Sequence, residues 1–203
     1  MGGIRDTLIE LWPEHDAELL LTAYHDLEPE VQRGRAVPYR QVLTETLEKV
    51  AHREGLALAE DDRAALAESL PSWPPFPEVP RALTEIRERG WRIAILSNTD
   101  PDLLDASLGM IGVPVDLRIT AAEAGSYKPA HGHWERFFAQ SGADRARHVH
   151  VGASVYHDLR PAAELGLRAV WINRLRESTE VATAVELPDL AKLPETLDDL
   201  VGS

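Results

Sequence analysis

Three groups of polar side chains follow apolar runs in the second half of the chain, and their types could support nucleophilic chemistry on an anion. Ser97 and Asn98 follow the run IAIL, Lys128 lies in SYKPA, and Asp158 comes shortly after HVHVG. A hydroxyl and an amide can hold an anionic oxygen, as can the backbone N–H groups that open a following helix. A lysine can neutralise a carboxylate nucleophile and an anionic substrate, and an aspartate can orient that lysine or position a water.

Each of these residues also has an ordinary structural explanation. Ser97, Asn98 or Asp100 could cap the helix that follows, since short polar side chains accept hydrogen bonds from the first free N–H groups. Lys128 could be a solvated surface lysine, and Asp158 could be an acid in the first turn of a helix, where the helix dipole favours it. Taken one at a time, the residues do not decide between chemistry and structure.

The elements that would position these residues alternate between strand and helix from residue 76 onward. Apolar runs are separated by segments of helical length, such as PEVPRALTEIRERG and HGHWERFFAQSG. The expected strands are WRIAILSN, VDLRIT, HVHVG, LRAVWINR and a short edge strand near Val185, with a final helix after it. This alternation predicts an α/β fold with a doubly wound, Rossmann-like parallel sheet, in which ligands bind at the carboxyl ends of the strands.

The first third of the chain reads as helix. Segments 16–25 and 38–55 carry apolar residues at helical spacing, and the second begins with a proline and ends with a glycine, as helices often do. A shorter helix is expected near 60–70, before PSWPPFPEVP, whose five prolines exclude a helix interior. We therefore expect a helical region at 1–75 and an α/β region at 76–203.

The bulk composition disfavours several classes of function. The 203 residues carry a formal net charge of −13, which argues against nucleic acid and anionic membrane surfaces as partners. There is no cysteine, so disulfides, thiolate metal sites and a cysteine nucleophile are excluded, and a cytoplasmic location is expected. We find neither a signal peptide nor an apolar stretch of membrane-spanning length. The composition is compatible with a monomer or a homodimer.

The combination of the motifs is more specific than any one of them. In order along the chain stand LSN, then YKP, then HVGAS followed by an Asp-Leu pair, then the strand WINR. This series resembles the haloacid dehalogenase (HAD) superfamily, and most closely its 2-haloacid dehalogenase-like branch. In that branch a helical cap is inserted after the first strand of the core, which implies that the helical region at 1–75 is the cap.

The resemblance implies a role for each polar residue. Ser97 and Asn98 would bind the carboxylate or phosphate oxygens of the substrate and of the intermediate. Lys128 would balance the negative charge of the nucleophile, and Asp158 would hold Lys128 and help to place the hydrolytic water. The implied substrate is a small anion, and the implied reaction is hydrolysis of the carbon–halogen bond of a 2-haloacid through an aspartyl ester.

The resemblance also bears on specificity and on metal binding. The cap would supply specificity, with Trp12, Tyr24 and Arg40 as candidates for lining the substrate site. In the phosphatases of the superfamily an acid early in the fourth motif helps to bind magnesium, and here that position is Ala153. Loss of this oxygen ligand implies a reaction without a metal or another cofactor, as in the dehalogenases.

The nucleophile that the resemblance requires is an aspartate at the carboxyl end of the first core strand, and Asp6 does not match it. Only MGGIR precedes Asp6, and two glycines and an arginine do not make a buried central strand. Ile4, Leu8 and Leu11 instead lie at helical spacing, so Asp6 reads as an acid in the first turn of a helix. We therefore expect the nucleophile outside these 203 residues.

The strand that would carry this nucleophile is the middle one of the sheet in the superfamily. Without it, the strands around 93–96 and 149–151 would each have an unpaired edge facing a gap. Unpaired buried backbone groups cost about 1 to 3 kcal/mol each. A segment of this chain, a strand of a partner, or residues beyond the given sequence should therefore fill the gap.

Three alternatives remain open on the sequence. The chain could be a catalytically inactive binding module, which the missing nucleophile, Ala153 and Trp134 favour, since dehalogenases often carry a tyrosine at the position of Trp134. It could be a phosphatase of the same superfamily that acts on a small phosphate ester. A metal site could form from the histidine pairs at 131/133 or 148/150, of which the second pair would share one face of a strand.

Overall fold

The computed structural model describes residues 2–35 and 37–202, and this part of the chain contains ten α-helices and five β-strands. The helices are α1 (Gly2–Leu11), α2 (Ala17–Gln32), α3 (Tyr39–Glu54), α4 (Ala65–Ser69), α5 (Val79–Glu88), α6 (Pro101–Ile111), α7 (Ala121–Ala124), α8 (Gly132–Ser141), α9 (Arg160–Glu164) and α10 (Leu193–Val201). The strands are β1 (Ala94–Ser97), β2 (Leu117–Thr120), β3 (Val149–Gly152), β4 (Arg168–Ile172) and β5 (Val185–Leu187). Within the described residues, none of the helices has the length and apolar character needed to cross a membrane.

Helices α1 to α4 pack around an apolar core of their own. Helix α3 contributes Leu43, Leu47 and Val50 from one face, as the sequence spacing predicts. It begins directly after a proline and ends at Gly55, whose left-handed conformation (φ 69°, ψ 31°) is one that glycine adopts at little cost. The helix predicted at 38–55 is therefore confirmed.

Helix α2 is longer than the sequence predicts. The predicted segment is 16–25, but the helix continues through Pro29 to Gln32. A proline inside a helix removes one backbone hydrogen bond. Val31 in the last turn is, however, buried against Tyr127 and α3, and this packing offsets the local loss. The extra turns bring Gln32 to the boundary with the α/β region.

The remaining elements follow the predicted order with local differences. The four expected strands correspond to β1 to β4, and the edge strand expected near Val185 is β5. The helix expected near 60–70 is divided into a 3-10 turn at Glu60–Asp62 and α4. The helix expected after HVHVG begins as a π-helical turn at Val155–Leu159 before α9.

Every strand pairing in the described residues is parallel, and this confirms the predicted α/β fold with a doubly wound, Rossmann-like core. β1 pairs with β2, with Ile95 opposite Arg118. β4 pairs with both β3 and β5, with Val170 opposite Val151 and Val185. These strands form two sheets with the orders β1-β2 and β3-β4-β5, and within the described chain β1 and β3 are not paired with each other.

The two sheets share their covering layers of helices. On one face, Ile95 of β1 joins Val151 and Val170 in an apolar cluster with residues of α5 and α10. On the other face, Leu96 of β1 joins Trp171 in a cluster with residues of α8 and α9. Because both clusters contain residues of both sheets, the sheets lie edge to edge in one layer.

The edges of β1 and β3 face each other without a strand between them in the part of the chain that is described. Consecutive residues of α8 contact both strands: His133 Nε2 donates to the Ser97 carbonyl at 2.9 Å, and Trp134 Nε1 donates to His150 Nδ1 at 3.3 Å. All four residues of β1 are only half-buried, whereas four of the five residues of β4 are buried. Among the described residues the facing edges of β1 and β3 are thus unpaired, and β1 is less covered than a central parallel strand normally is. That a further strand belongs between them stays a prediction.

One carboxylate joins the helical region to the α/β region. Asp100, directly before α6, accepts hydrogen bonds from the backbone N–H groups of Tyr39 (2.8 Å) and Arg40 (2.9 Å), the first residues of α3. Its side chain does not cap α6, the local possibility that the sequence leaves open. It caps a helix of the other region instead, and Arg40 adds an ion pair to Asp102.

The domain boundary near residue 75 stays a prediction. A 3-10 turn at Leu70–Ser72 and the extended Trp73 lead into α5, in keeping with a proline-rich connector. Leu103 of α6 is nevertheless buried in the apolar core of α1 to α4. The helical region therefore packs on the α/β region and does not complete its core alone.

Replacing Asp100 by alanine should lower the free energy of unfolding by about 1 to 2 kcal/mol, because the start of α3 loses the acceptor of two N–H groups. Asp102→Ala is the matched control. The Asp102 side chain, which pairs with Arg40, is 63% exposed, so its removal should cost less than about 1 kcal/mol. Urea denaturation of both variants measures the difference. Equal costs would contradict the capping role of Asp100.

Candidate active site between the two sheets

Lys128 and Asp158 form a buried ion pair near the carboxyl ends of β1 and β3. Lys128 Nζ donates to Asp158 Oδ1 at 2.6 Å, and the two side chains are 11% and 12% exposed. Lys128 lies in the loop between α7 and α8, and Asp158 lies in the π-helical turn after β3. The predicted contact between the two residues is confirmed, and their catalytic roles stay predictions.

The segment after β3 brings Asp158 close to the end of that strand. A β-carbon on Gly152 would lie 2.4 Å from the Cβ of Asp158, so only a glycine permits this approach. Ser154 N–H donates to Asp158 Oδ2 at 3.2 Å, and the turn at Val155–Leu159 carries the aspartate. Single π-helical turns are frequent at functional sites. The backbone therefore fixes Asp158 in addition to the ion pair.

The ionisation of Asp158 is set by opposing effects. Burial alone would raise the pKa of its carboxyl group, but the Lys128 ammonium and His150 outweigh burial and hold the pKa well below its usual range. Asp158 is therefore a carboxylate at neutral pH. It supplies a permanent counter-charge for Lys128.

His150 and Trp134 lie behind Asp158. The indole N–H of Trp134 can only donate, so its bond at 3.3 Å makes His150 Nδ1 an acceptor. In neutral His150 the proton then sits on Nε2, which lies 3.8 Å from Asp158 Oδ1. His150 thus turns an N–H toward the carboxylate, and the fully buried Trp134 fixes which nitrogen carries it.

The backbone of Lys128 is held by the side chain of Asn98. Asn98 Oδ1 accepts from Lys128 N–H at 2.7 Å, and Asn98 Nδ2 donates to the Lys128 carbonyl at 3.1 Å. The same Nδ2 also donates to Gln32 Oε1 at 3.3 Å. The amide is therefore turned toward Lys128 and the helical region, and its role as a substrate ligand stays a prediction.

Ser97 ends β1 with its hydroxyl at the same end of the sheet. Its Oγ accepts from Thr99 N–H at 3.2 Å, which uses a lone pair and leaves the hydroxyl proton for an anionic oxygen. Its carbonyl accepts from His133 Nε2, and burial lowers the pKa of His133 to about 4. His133 is therefore neutral at pH 7. The structure is compatible with anion binding by Ser97, which stays a prediction.

The three residues expected to line the site from the helical region have other described contacts. Trp12 is buried in the core of α1 to α4, and its indole N–H donates to a backbone carbonyl at 2.9 Å. Arg40 is exposed and donates to both carboxylate oxygens of Asp102. Tyr24 is buried, and burial together with the nearby Glu28 raises the pKa of its phenol. Trp12 and Tyr24 both lie in the apolar core of α1 to α4, and the roles of all three residues in substrate binding stay predictions.

The histidine pairs do not form a metal centre with other side chains. Across 2–35 and 37–202, no three or more His, Cys, Asp or Glu residues are grouped as metal ligands would be. His131 pairs with Glu164 at 2.9 Å, whereas His133 faces β1. His148 packs against phenylalanine rings, whereas His150 faces the buried ion pair. Each of these four histidines thus has a contact other than a shared metal, and the expectation of a reaction without a metal stays a prediction.

Asp6 lies apart from the buried ion pair. It is exposed on α1, and because this helix begins at Gly2 it belongs to the second turn and not to the first turn, where the sequence pattern places it. The helix itself is as predicted, with Leu8 buried in the core. Asp6 is therefore a surface acid, in agreement with its exclusion as the nucleophile.

Sequence reasoning misses two residues that lie around the ion pair, Gln32 beside Asn98 and His150 beside Asp158. Gln32 is separated from Asn98 by 66 positions, and no local pattern connects them. His150 carries a partial signal, since it stands two residues before Gly152 on the same strand, but its pairing with His148 suggests only a metal ligand. These contacts become visible only when the strands and helices are assembled.

Comparisons with known proteins agree with the motifs. A family model of haloacid dehalogenase-like hydrolases matches residues 5–166. The chain is 30% identical over 143 residues to the (S)-2-haloacid dehalogenase of Pseudomonas sp. strain YL. These aligned residues cover 70% of this chain and 61% of that protein. It is 31% identical over 193 residues to the phosphoserine phosphatase of Thermus thermophilus, and this alignment covers 90% of this chain and 76% of that protein. The chain thus spans less than two thirds of the length of the first relative.

The fold is similar to that of a solved dehalogenase. The L-2-haloacid dehalogenase of Xanthobacter autotrophicus, in a structure with chloropropionic acid covalently bound, matches with a TM-score of 0.83 and 21% identity. The match covers 96% of this chain and 91% of that one. At this identity the likeness concerns the fold.

Breaking the Lys128–Asp158 pair from one side should lower the free energy of unfolding by about 3 to 5 kcal/mol, because one buried charge loses its partner. Lys128→Met combined with Asp158→Asn should cost less than the sum of the single changes, since the double variant buries neither charge. The matched control is the exposed pair Arg53–Asp26, whose coupling should stay below about 1 kcal/mol. Urea denaturation measures both cycles, and additive costs at the buried pair would disprove the coupling.

Three histidines, of which His133 is buried and His148 and His157 are half-buried, should make the fold sensitive to mild acid. Burial lowers the pKa of His133, His148 and His157 to about 4, below the value of about 6.5 expected in an unfolded chain. Between these values the unfolded state binds more protons, so the free energy of unfolding falls as the pH drops from about 7 to 4. NMR titration of the histidine C2 protons measures the pKa values, and His148→Phe should reduce the slope by about one proton. Ordinary titrations of all three near pH 6.5 would refute this expectation.

Proposed function

Because the chain belongs to the haloacid dehalogenase-like hydrolase family, we propose that it hydrolyses the carbon–halogen bond of a small 2-haloacid through an aspartyl ester. The observation that carries the proposal is the buried pair of Lys128 and Asp158 at 2.6 Å, near the carboxyl ends of β1 and β3. Ligands of open parallel sheets bind at that edge. The (S)-2-haloacid dehalogenase of Pseudomonas sp. strain YL, which is 30% identical, supports this substrate class.

The proposed reaction has two steps. A carboxylate oxygen attacks the carbon that bears the halogen, and the halide leaves with the electron pair of the broken bond, so that an ester forms. Water then hydrolyses the ester, which releases the 2-hydroxyacid and one proton and restores the carboxylate.

Each polar residue has a place in these steps. The Ser97 hydroxyl donates to the carboxylate of the substrate. The Lys128 ammonium stabilises the negative charge of the nucleophile and the substrate, and Asp158 keeps the ammonium in position and helps to orient the water. The burial of the pair strengthens these interactions, because charges act over a shorter range in water than in a site of low dielectric.

The nucleophile is proposed to lie on a strand between β1 and β3. Both facing edges are free of strand partners within the described residues, and β1 is only half-buried along its length. A parallel strand inserted there would pair with both edges and would end next to Lys128. An aspartate at its carboxyl end would then stand where the two-step reaction needs it.

A phosphatase acting on a small phosphate ester is the second candidate, which the similarity to the phosphoserine phosphatase of Thermus thermophilus favours. The superfamily phosphatases imply a magnesium ion held in part by an acid, where this chain has Ala153. A methyl group offers no oxygen ligand, and the two oxygens of Asp158 already bind Lys128 and Ser154. These residues do not fit a magnesium site, so the dehalogenase is preferred.

A catalytically inactive protein that keeps the fold is the third candidate. It is favoured by the hydrogen bonds of Lys128, which reach no carboxylate other than Asp158 among the described residues, and by Trp134, which is fully buried against His150. Whether the site catalyses a reaction or only binds a ligand, we propose that the ligand is a small anion. We also propose that the protein is cytoplasmic and forms a monomer or a homodimer. The net charge of −13 supports partners other than nucleic acid or anionic membranes.

Halide release from (S)-2-chloropropionate tests the proposal on two fusions that differ in one residue. Each carries an apolar strand of about six residues ahead of Gly2, ending in Asp in one fusion and in Asn in the other. We expect halide release from the Asp fusion, none from the Asn fusion, and loss of release when Lys128→Ala is added, because the attacking carboxylate and its counter-charge are both needed.

Two further assays complete the test. One measures halide release by the chain without a fused strand, and the other measures phosphate release from a small phosphate ester in the presence of magnesium. Phosphate release that exceeds halide release would select the phosphatase. An Asp fusion that unfolds cooperatively with urea and yet releases neither ion would refute the enzymatic proposal and select the inactive protein.

A further inference from the structure

We propose that Gln32 of α2 is a positioning residue that sets the place of Lys128 through Asn98. The contact of Gln32 with Asn98 would then make the position of the Lys128 ammonium depend on how the helical region packs on the α/β region. The structural coupling stands on described contacts alone, and its effect on catalysis rests on the proposed function.

Asn98 leaves little freedom to the backbone of Lys128. A backbone N–H can only donate, so the bond of 2.7 Å identifies the Asn98 atom facing it as the carbonyl oxygen Oδ1. Nδ2 then carries two protons, of which one reaches the Lys128 carbonyl at 3.1 Å and the other reaches Gln32 Oε1 at 3.3 Å. The amide uses both its donors, and its orientation is fixed by what lies on either side.

Gln32 is oriented in turn by Glu28. Gln32 is only 4% exposed, and its Nε2 donates to Glu28 Oε1 at 2.7 Å. The hydroxyl of Tyr39 donates to the same oxygen at 2.9 Å. A carboxylate oxygen accepts from both, so the amide nitrogen of Gln32 must face Glu28 and its oxygen must face Asn98. The direction of every bond from Glu28 to Lys128 follows from this one acceptor.

The alternative is that Gln32 merely fills space between the two regions. The two roles differ in which substitutions they tolerate. Gln32→Met keeps the length of the side chain but removes the acceptor for Asn98, so the coupling is lost while the packing is kept. Gln32→Glu adds a second carboxyl group beside Glu28, and the two can share one proton, which preserves an acceptor oxygen for Asn98. Burial already raises the pKa of Glu28, which makes such sharing easier.

The ammonium of Lys128 offers a readout that needs no turnover. The chain has three lysines, and Lys49 and Lys192 are exposed whereas the Lys128 side chain is 11% exposed. Ammonium protons exchange quickly with water unless they are sheltered, so a lysine-selective ¹H–¹⁵N spectrum near pH 6 should show the Lys128 signal. Its disappearance in Lys128→Arg assigns it.

The matched control is Gln41, which makes the same kind of bond on an exposed surface. Gln41 Nε2 donates to Glu45 Oε1 at 2.7 Å, four residues away on α3, as Gln32 does to Glu28 on α2. Gln41→Met should leave the Lys128 signal unchanged. Gln32→Met should shift or broaden it, and Gln32→Glu should restore it. Urea denaturation confirms that each variant is folded.

The opposite pattern overturns the proposal. An unchanged Lys128 signal in Gln32→Met, or a signal lost in Gln32→Glu but kept in Gln32→Met, would assign Gln32 to packing alone. In an active fusion, Gln32→Met should lower kcat about 10-fold or more with KM changed by less than about twofold. The reason is that a displaced Lys128 ammonium stabilises the transition state less well. Inactivity of every fusion would refute the proposed function, whereas the Lys128 signal would still decide whether Gln32 positions the lysine.

Discussion

The buried ion pair between Lys128 and Asp158 is the constraint on which the arrangement of the site depends. Removing two charges from water is unfavourable unless each finds good partners in the interior. Asp158 meets this need with the Lys128 ammonium at 2.6 Å, the Ser154 N–H at 3.2 Å and the His150 ring at 3.8 Å. The absence of a β-carbon at Gly152 makes the approach possible. The loops after β1, α7 and β3 are thus tied to one point.

Much of this arrangement can be predicted because it is written in local patterns. The apolar runs that end at Ser97 and at Gly152 are parallel strands, and the polar residues that follow them lie at one edge of the sheet. Helix α3 is equally plain, because its apolar spacing agrees with its flanking proline and glycine. In these segments, the local preference and the tertiary packing favour the same structure.

The rest could not be predicted because it depends on pairs that are distant in the chain. Local rules suggest Asp100 as a cap for the helix beside it, whereas its carboxylate binds Tyr39 N–H, 61 positions away. Likewise, Pro29 is a local argument for ending α2, and the packing of Val31 against Tyr127 overrides it. Without that continuation Gln32 would not reach Asn98. The unpredicted part of the site is therefore the part that joins the two regions.

The position of Asp100 also restricts how the helical region can move. Its carboxylate belongs to the α/β region, and the two N–H groups that it binds open a helix of the other region. A movement that lifted α3 from Asp100 would leave the N–H groups of Tyr39 and Arg40 without their acceptor. The Asp100 carboxylate therefore holds the start of α3 against the α/β region, and any displacement that separates the two at this point also withdraws the neighbouring Leu103 from the core of α1 to α4.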